Sequence, residues 1–177
     1  MPRELIALCG LAFSGKSTIA RQVAEATGAG LISYDAINRA RGFDGGTAIA
    51  DSEWEKTSLM AAAQARAMLL AGRSVVIDDT FSHRFLRDRF RQVAAASAVP
   101  FVLLFVDTPL ATVEARIAEN ARTKSRPHIA PDVFAHHRDR FQFPGDDESP
   151  VRLAGTDDLD RWLGRWLAAR GADNLPQ

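Results

Sequence analysis

Short apolar runs alternate with longer segments of helical period along this chain. Leu5-Ile6-Ala7-Leu8-Cys9 and Phe101 to Val106 are unbroken apolar runs, and Ser74-Val75-Val76-Ile77 is apolar after its first residue. Strands read this way when both of their faces are covered. Leu31-Ile32-Ser33 reads as a shorter strand and Val151-Arg152-Leu153 as a weak one. Between them, Ser17 to Val23 opens a helix that Thr27-Gly28-Ala29-Gly30 stops. A second helix is expected from Ser52 to about Ala71, with Ser52 as N-cap, Glu55 completing a capping box and Gly72 ending it. Further helices are predicted from about Ser82 to Ala96, from Pro109 to about Ala121, and from Asp132 to Phe141. The last runs from Asp157 to Ala169, where Leu159, Trp162-Leu163 and Trp166-Leu167 form an apolar stripe of the kind that packs on a core. Residues 41–51 and Pro144-Gly145-Asp146-Asp147-Glu148 are rich in turn formers, and the tail after Gly171 is expected to fray.

This alternation predicts an α/β fold of three layers, with a mostly parallel five-stranded sheet between helices, forming a single domain over residues 1–177. Such sheets bind their ligands at the carboxyl ends of the strands. Gly10, Asp35, Asp78-Asp79 and Asp107 all fall at strand ends on that edge, although they lie far apart in sequence.

The edge is dominated by Gly10-Leu11-Ala12-Phe13-Ser14-Gly15-Lys16-Ser17, followed by Thr18, which fits G-x-x-x-x-G-K-[ST] without a mismatch between a strand and a helix. The glycines let successive backbone N–H groups turn into one concavity, and the positive end of the helix dipole adds to the attraction for phosphate. Gly10, Ala12, Phe13, Ser14, Gly15, Lys16, Ser17 and Thr18 are therefore the expected triphosphate-binding residues. Lys16 is expected on the β- and γ-phosphates, and the Ser17 hydroxyl on Mg²⁺. The guanine-reading N-K-x-D pattern is absent, which favours ATP.

Mg²⁺ calls for a carboxylate ending a neighbouring apolar strand. Asp78 fits best, and Asp79 is its rival; the plain alternative is an N-cap for the following helix. Asp35 stands where a carboxylate would orient an acceptor hydroxyl and take its proton, though it too has a plain reading as a helix N-cap. Arg116 and Asn120 share a helix face, and Arg122, Lys124 and Arg126 follow in a polar stretch. That stretch, residues 120–131, is expected to form a basic lid over the triphosphate; solvated surface is the plain alternative. His136-His137 lacks zinc-ligand spacing, and His83 and His128 are expected at the surface.

Bulk composition narrows the function classes. The 22 Lys and Arg balance the 22 Asp and Glu, so no global positive field gathers nucleic acid. No apolar run approaches membrane-spanning length, and the N-terminus leads almost directly into the first strand. With the single Cys9 lacking a disulfide partner, a cytoplasmic location is expected, with no membrane partner. Oligomeric state is not readable, and neither an internal repeat nor a low-complexity segment is present.

These residues resemble the P-loop kinase group that includes chloramphenicol phosphotransferase, polynucleotide kinase domains and zeta toxins. The resemblance covers residues 4–150 and rests on Gly10 to Thr18, Ile32-Ser33-Tyr34-Asp35, Val75-Val76-Ile77-Asp78-Asp79-Thr80 and the Arg-rich segment from Arg116. It implies a P-loop NTPase fold, Asp35 as the acceptor-activating aspartate, Asp78 beside Mg²⁺, Arg116 over the adenine, and Arg122 or Arg126 on the phosphates. Nucleoside monophosphate kinases carry an arginine three residues after the aspartate, where this chain has Asn38, and often another four beyond the adenine-packing one, where it has Asn120. The expected activity is ATP- and Mg²⁺-dependent transfer of the γ-phosphate to a hydroxyl of a small molecule, such as an antibiotic or nucleoside-like compound. The alternatives are a polynucleotide or tRNA kinase and a regulatory ATPase without an acceptor; the second is disfavoured because no Glu follows Asp78-Asp79 in the usual place.

Overall fold

Alternation along the central strand divides the core in two. The computed structural model describes residues 3–43, 49–127, 129–154 and 159–172. In β1 (Leu5–Cys9), Leu5, Ala7 and Cys9 pack into one cluster, Ile6 and Leu8 into another, and all five are fully buried. Four more strands join it: β2 (Gly30–Ser33), β3 (Val75–Asp78), β4 (Phe101–Asp107) and β5 (Val151–Ala154). Every pairing is parallel and the order is β2-β3-β1-β4-β5. The expected five-stranded α/β sheet is therefore observed, and it is parallel throughout.

One face carries α1 (Lys16–Thr27), through Ile19, Ala20 and Val23, and α7 (Leu159–Ala172), through Trp162 and Leu163. Trp162 and Trp166 stack at 5.5 Å, so the predicted stripe does pack on the core. The other face carries α2 (Tyr34–Ala40), α3 (Asp51–Leu70) and α4 (Arg84–Ala96), which contribute Tyr34, Ile37, Ala61, Ala65, Leu69, Phe90 and Ala94. Two helices complete the order, α5 (Leu110–Thr123) and α6 (Pro131–Asp139).

Local chemistry corrects several expectations. No capping box opens α3: the helix begins at Asp51 with Ala50 at its N-cap, because Glu55 is drawn across to Arg89 and Ser52 falls inside the first turn. Asp35 does not cap α2. Ser33 does, accepting from the Ala36 N–H at 3.4 Å, and Asp35 stands exposed in the first turn. Asp79 caps no helix, since α4 starts only at Arg84. Pro109 is the N-cap of α5, one position earlier than its expected place inside the helix. Phe85 is 56% exposed, its ring against His83, so α4 buries Phe90 and Ala94 instead. His83 is half-buried, with Nδ1 2.9 Å from the Ser82 hydroxyl. Asp157 and His128 lie outside the described residues.

The interior also holds one ion pair. Arg87 of α4 and Glu148 are both buried and joined by two bonds, Nε to Oε2 at 2.6 Å and Nη2 to Oε1 at 2.7 Å. The same guanidinium donates to the carbonyls of Phe81 and Gln142 at 2.8 and 2.9 Å, which fastens the β3–α4 turn to the segment before β5. Burial alone would raise the Glu148 pKa, but the hydrogen bond and charge of Arg87 outweigh it and hold the carboxyl below its ordinary value. Removing one partner strands a buried charge. Glu148→Gln is accordingly expected to cost about 3–5 kcal/mol, or on the order of 10 °C in Tm, read by thermal and urea denaturation at neutral pH.

Candidate nucleotide-binding and phosphotransfer site

The loop between β1 and α1 is shaped by contacts that begin at Gly10. Its φ is 151°, and a Cβ there would sit 2.7 Å from the Val106 carbonyl oxygen, so only glycine lets the chain leave β1 along this path. Gly10 N–H donates to the Thr80 carbonyl at 3.1 Å, and Ser14 N–H to that of Leu11 at 3.1 Å. Phe13 (φ 62°) and Gly15 (φ 104°) take left-handed conformations, which curl the loop. The curl sends the Ser14 carbonyl outward. Thr108 Oγ1 and Arg116 Nη1 each donate to it at 2.8 Å, and Arg116 also reaches the Phe13 carbonyl at 3.2 Å.

Lys16 is buried, and its ammonium folds back to donate to the Leu11 carbonyl at 2.7 Å, with Ser14 Oγ at 3.5 Å. Burial lowers its pKa, and the charges of Asp78 and Asp79 oppose that shift. The Ser17 hydroxyl lies near enough to the Asp78 carboxyl to favour its charged form. Asp78 is raised above its ordinary value by burial, against the Ser17 hydroxyl and the Lys16 charge, while the negative charge of Asp35 pushes it higher still. Asp78 therefore feels both the loop lysine and the aspartate one strand away. The register explains the grouping: Asp78 is level with Leu8 on one side and Ser33 on the other, so Gly10 and Asp35 each leave the sheet two residues later on the same edge.

Asp79 turns elsewhere. Its Oδ2 accepts from the Phe81 N–H at 2.8 Å, and burial lifts its pKa to about 6 against backbone hydrogen bonds from Phe81 and Thr80. Between the two rivals, Asp78 is the one beside Ser17. A hydroxyl and a carboxylate form a hard oxygen pair that fits Mg²⁺, whose remaining ligands are normally water and phosphate. No group of three or more His, Cys, Asp or Glu residues suited to holding a metal occurs among the described residues.

A cavity of about 440 Å³ opens beside the loop, lined by Phe13, Gly15, Thr18, Arg116, Asn120 and Arg126 among others. The Arg126 guanidinium lies over the Phe13 ring at 4.5 Å. Arg122 faces away, paired with Glu119 at 2.8 Å. Of the expected positions, then, Phe13, Ser14, Gly15, Thr18, Arg116 and Arg126 line this cavity, whereas Gly10, Ala12, Lys16, Ser17, Asp35, Asp78 and Arg122 are not in its lining. Tyr34 belongs to the core: its ring packs on Phe81 and Phe90, and its hydroxyl lies 3.0 Å from Ser58 Oγ.

Two site features escaped the sequence reading. Thr108 stands just beyond the acidic end of β4, which was noted, but its hydroxyl bond to the loop was not. His137 of α6 is half-buried, edge-on to Phe141, and its Nε2 has no partner among the described residues. Burial, then the positive charge of Lys16, then His83 and His136 push its pKa down to about 4, so the ring is neutral and within electrostatic reach of the loop. The spacing Phe134, His137, Phe141 already put it on a buried face.

With this geometry established, comparison with known proteins becomes informative. No curated protein matches the chain in sequence. Solved structures do match in fold. A sugar kinase from Janibacter sp. HTCC2649 is 22% identical, with 95% of this chain and 94% of that one covered, at a TM-score of 0.71. The Mycobacterium tuberculosis APS kinase CysC, in complex with AMPPNP and APS, is 19% identical over 94% and 96%, at 0.70. Chaetomium thermophilum Kti12, in complex with ADP-AlF3, is 20% identical over 98% and 100%, at 0.74. At these identities the likeness establishes the shared fold. The family model for the AAA domain (AAA_33) matches residues 5–144, most of the chain, including the loop, Asp35, Asp78, Arg116 and Arg126, and the chain belongs to that family.

Proposed function

We propose that this protein is an ATP- and Mg²⁺-dependent phosphotransferase that moves the γ-phosphate to a hydroxyl of a small molecule. The observation that carries the reading is the line Lys16, Asp78, Asp35 along one sheet edge, with Asp78 electrostatically coupled to both of the others. A nucleotide switch needs only the first two of these groups. A second carboxylate, exposed and just past Asp78, is what an alcohol acceptor requires. The finer resemblance to the chloramphenicol phosphotransferase group belongs to the same proposal.

Each residue then has a task. The loop N–H groups cradle the phosphates, and the Lys16 ammonium exchanges the Leu11 carbonyl for a phosphate oxygen. Ser17 and Asp78 would hold Mg²⁺, which when bound would offset the charge of the phosphates. Arg116 braces the loop from the cavity side, and Arg126 supplies a positive charge at the cavity mouth. Asp35 orients the acceptor hydroxyl and takes its proton as the acceptor oxygen bonds to phosphorus and ADP leaves. Fixed cations aimed at the transferring group act without reorganising at the moment of reaction, which is where most of the rate gain in such sites arises. The neutral His137 adds no competing charge beside Lys16.

The acceptor class follows from a screen of aminoglycosides, phenicols, nucleosides and short oligonucleotides for acceptor-stimulated ADP release. Salt-sensitive turnover of oligonucleotides alone would shift the assignment to a polynucleotide kinase. ATP hydrolysis that no acceptor stimulates would overturn transfer altogether. With an acceptor in hand, Asp35→Asn should keep ATP affinity and lose about 10²–10⁴-fold in kcat; unimpaired transfer would remove Asp35 from the mechanism.

His137 generates a separate prediction about pH. Its folded pKa of about 4 lies below the ordinary 6.5, so between these values the unfolded chain binds the proton and the native one does not. Stability present above pH 6.5 is therefore lost as the pH falls towards 4, by roughly 2 kcal/mol once partial exposure is discounted. Urea midpoints measured at pH 7 and pH 4.5 should differ less in His137→Phe than in the unmodified protein.

A further inference from the structure

The chain leaves α5 through Lys124, which adopts a left-handed φ of 49°, and within three residues it has folded back on the helix it left. What it folds onto is Asn120, 4% exposed although the turn around it is exposed. The Asn120 carbonyl accepts from the Lys124 N–H at 2.8 Å. Its side-chain oxygen accepts from Ser125 Oγ and from the Arg126 N–H, both at 3.1 Å, and its amide nitrogen donates to the Arg126 carbonyl at 3.2 Å. One side chain thus holds both backbone groups of Arg126. A buried amide costs free energy unless both ends are paired, and here both are. Aspartate could accept the same bonds but not donate the last, and leucine could do neither.

The residue held this way is the one whose guanidinium lies over Phe13 at the cavity mouth. Phe13 is itself fixed by its left-handed φ and by the Arg116 bond to its carbonyl. Backbone anchor and ring together set Arg126 in place.

The geometry points to Asn120 as the positioning residue of the lid: it fixes the Arg126 backbone so that the guanidinium waits on the Phe13 ring and transfers from there to the terminal phosphate of an incoming triphosphate. The inference rests on the proposed reading of the loop beside this cavity as the triphosphate site. A lid built in advance spares the ordering cost that a free loop meets when ligand arrives. It also assigns the departure noted in the sequence: where related kinases often place a second arginine, this chain places the residue that aims another.

The test is calorimetric binding of Mg·AMPPNP and of Mg·ADP to the full-length protein. Arg126→Ala should lower AMPPNP affinity by about 10- to 100-fold and ADP affinity much less, because a charged contact to the terminal phosphate is lost. Asn120→Ala should reproduce most of that selective loss. The double variant should be no worse than Arg126→Ala, because the two residues act as one unit. Ser125→Ala, which removes one bond at an exposed position, and Asn120→Asp should lie between, and both keep the proposal testable should Asn120→Ala fold poorly. Equal weakening of both nucleotides by these variants, or losses that add in the double variant, would assign Asn120 a structural role and overturn the proposal. If the unmodified protein binds neither nucleotide, the site reading itself falls; if it binds both and only the Asn120 pattern fails, that reading stands and this inference alone is lost.

Discussion

The whole site depends on satisfying one carbonyl oxygen. A loop that turns its N–H groups inward towards an anion must turn carbonyls outward, and a carbonyl left unpaired at a half-buried position costs free energy. The chain meets this at Ser14 with two donors almost a hundred residues away, Thr108 and Arg116. The loop is consequently not a free-standing glycine-rich turn. It is sutured to the end of β4 and the first turns of α5, and α5 leads into the turn that holds Arg126. Loop and turn share a foundation, so a disturbance in α5 reaches the loop without crossing the core.

Charge balance within that frame is close. Lys16 is buried with two neighbouring carboxyls, Asp78 and Asp79, whose negative charge opposes the pull of burial on the ammonium. The same burial raises both aspartates. On the proposed reading such a cluster would suit a polyanion with a divalent cation: Ser17 and Asp78 would hold the cation, and the Lys16 ammonium would find in a phosphate a better partner than the Leu11 carbonyl. The cost of holding these groups out of water before ligand arrives is part of what a functional site gives up in stability.

The fold and the loop were readable in the residues because they rest on local signals. Fully apolar five-residue strands, helical periods and the glycine spacing of residues 10 to 15 each act within a few residues of themselves. Asp78 and Asp35 were reached by position on the sheet edge, and the arginines by the polar run that follows the helix of Arg116. Side-chain direction was not legible. Nothing within Arg122-Thr123-Lys124-Ser125-Arg126 says that Arg122 pairs with Glu119 one helical turn back while Arg126 turns onto Phe13, because that choice is made by the left-handed Lys124 and the buried Asn120. The capping box at Ser52 failed for a related reason, a longer-range partner, Arg89, having captured Glu55. Contacts between residues sixty or more apart, such as Arg87 with Glu148, leave no local trace at all.

Asp78 and Asp79 show how far such a distant contact reaches. Two identical side chains in succession would point to opposite sides of an extended strand, but the second lies past the end of β3, in a turn. Phe81, at a φ of 44°, bends that turn so that its own N–H returns to Asp79, and a bulky residue in that region carries strain on the order of 1–3 kcal/mol. Something must hold it there. The Phe81 ring is locked between Tyr34 and Phe90, and its carbonyl accepts from Arg87, with Cys9 Sγ at 3.6 Å. Arg87 can spend a donor on that carbonyl only because Glu148 neutralises the guanidinium in the interior. The pair that looks purely structural therefore fixes the turn, the turn draws Asp79 inward onto backbone N–H groups, and Asp78 is left as the carboxylate beside Ser17. The different orientations of two adjacent aspartates are thus tied to the buried pair of Arg87 and Glu148.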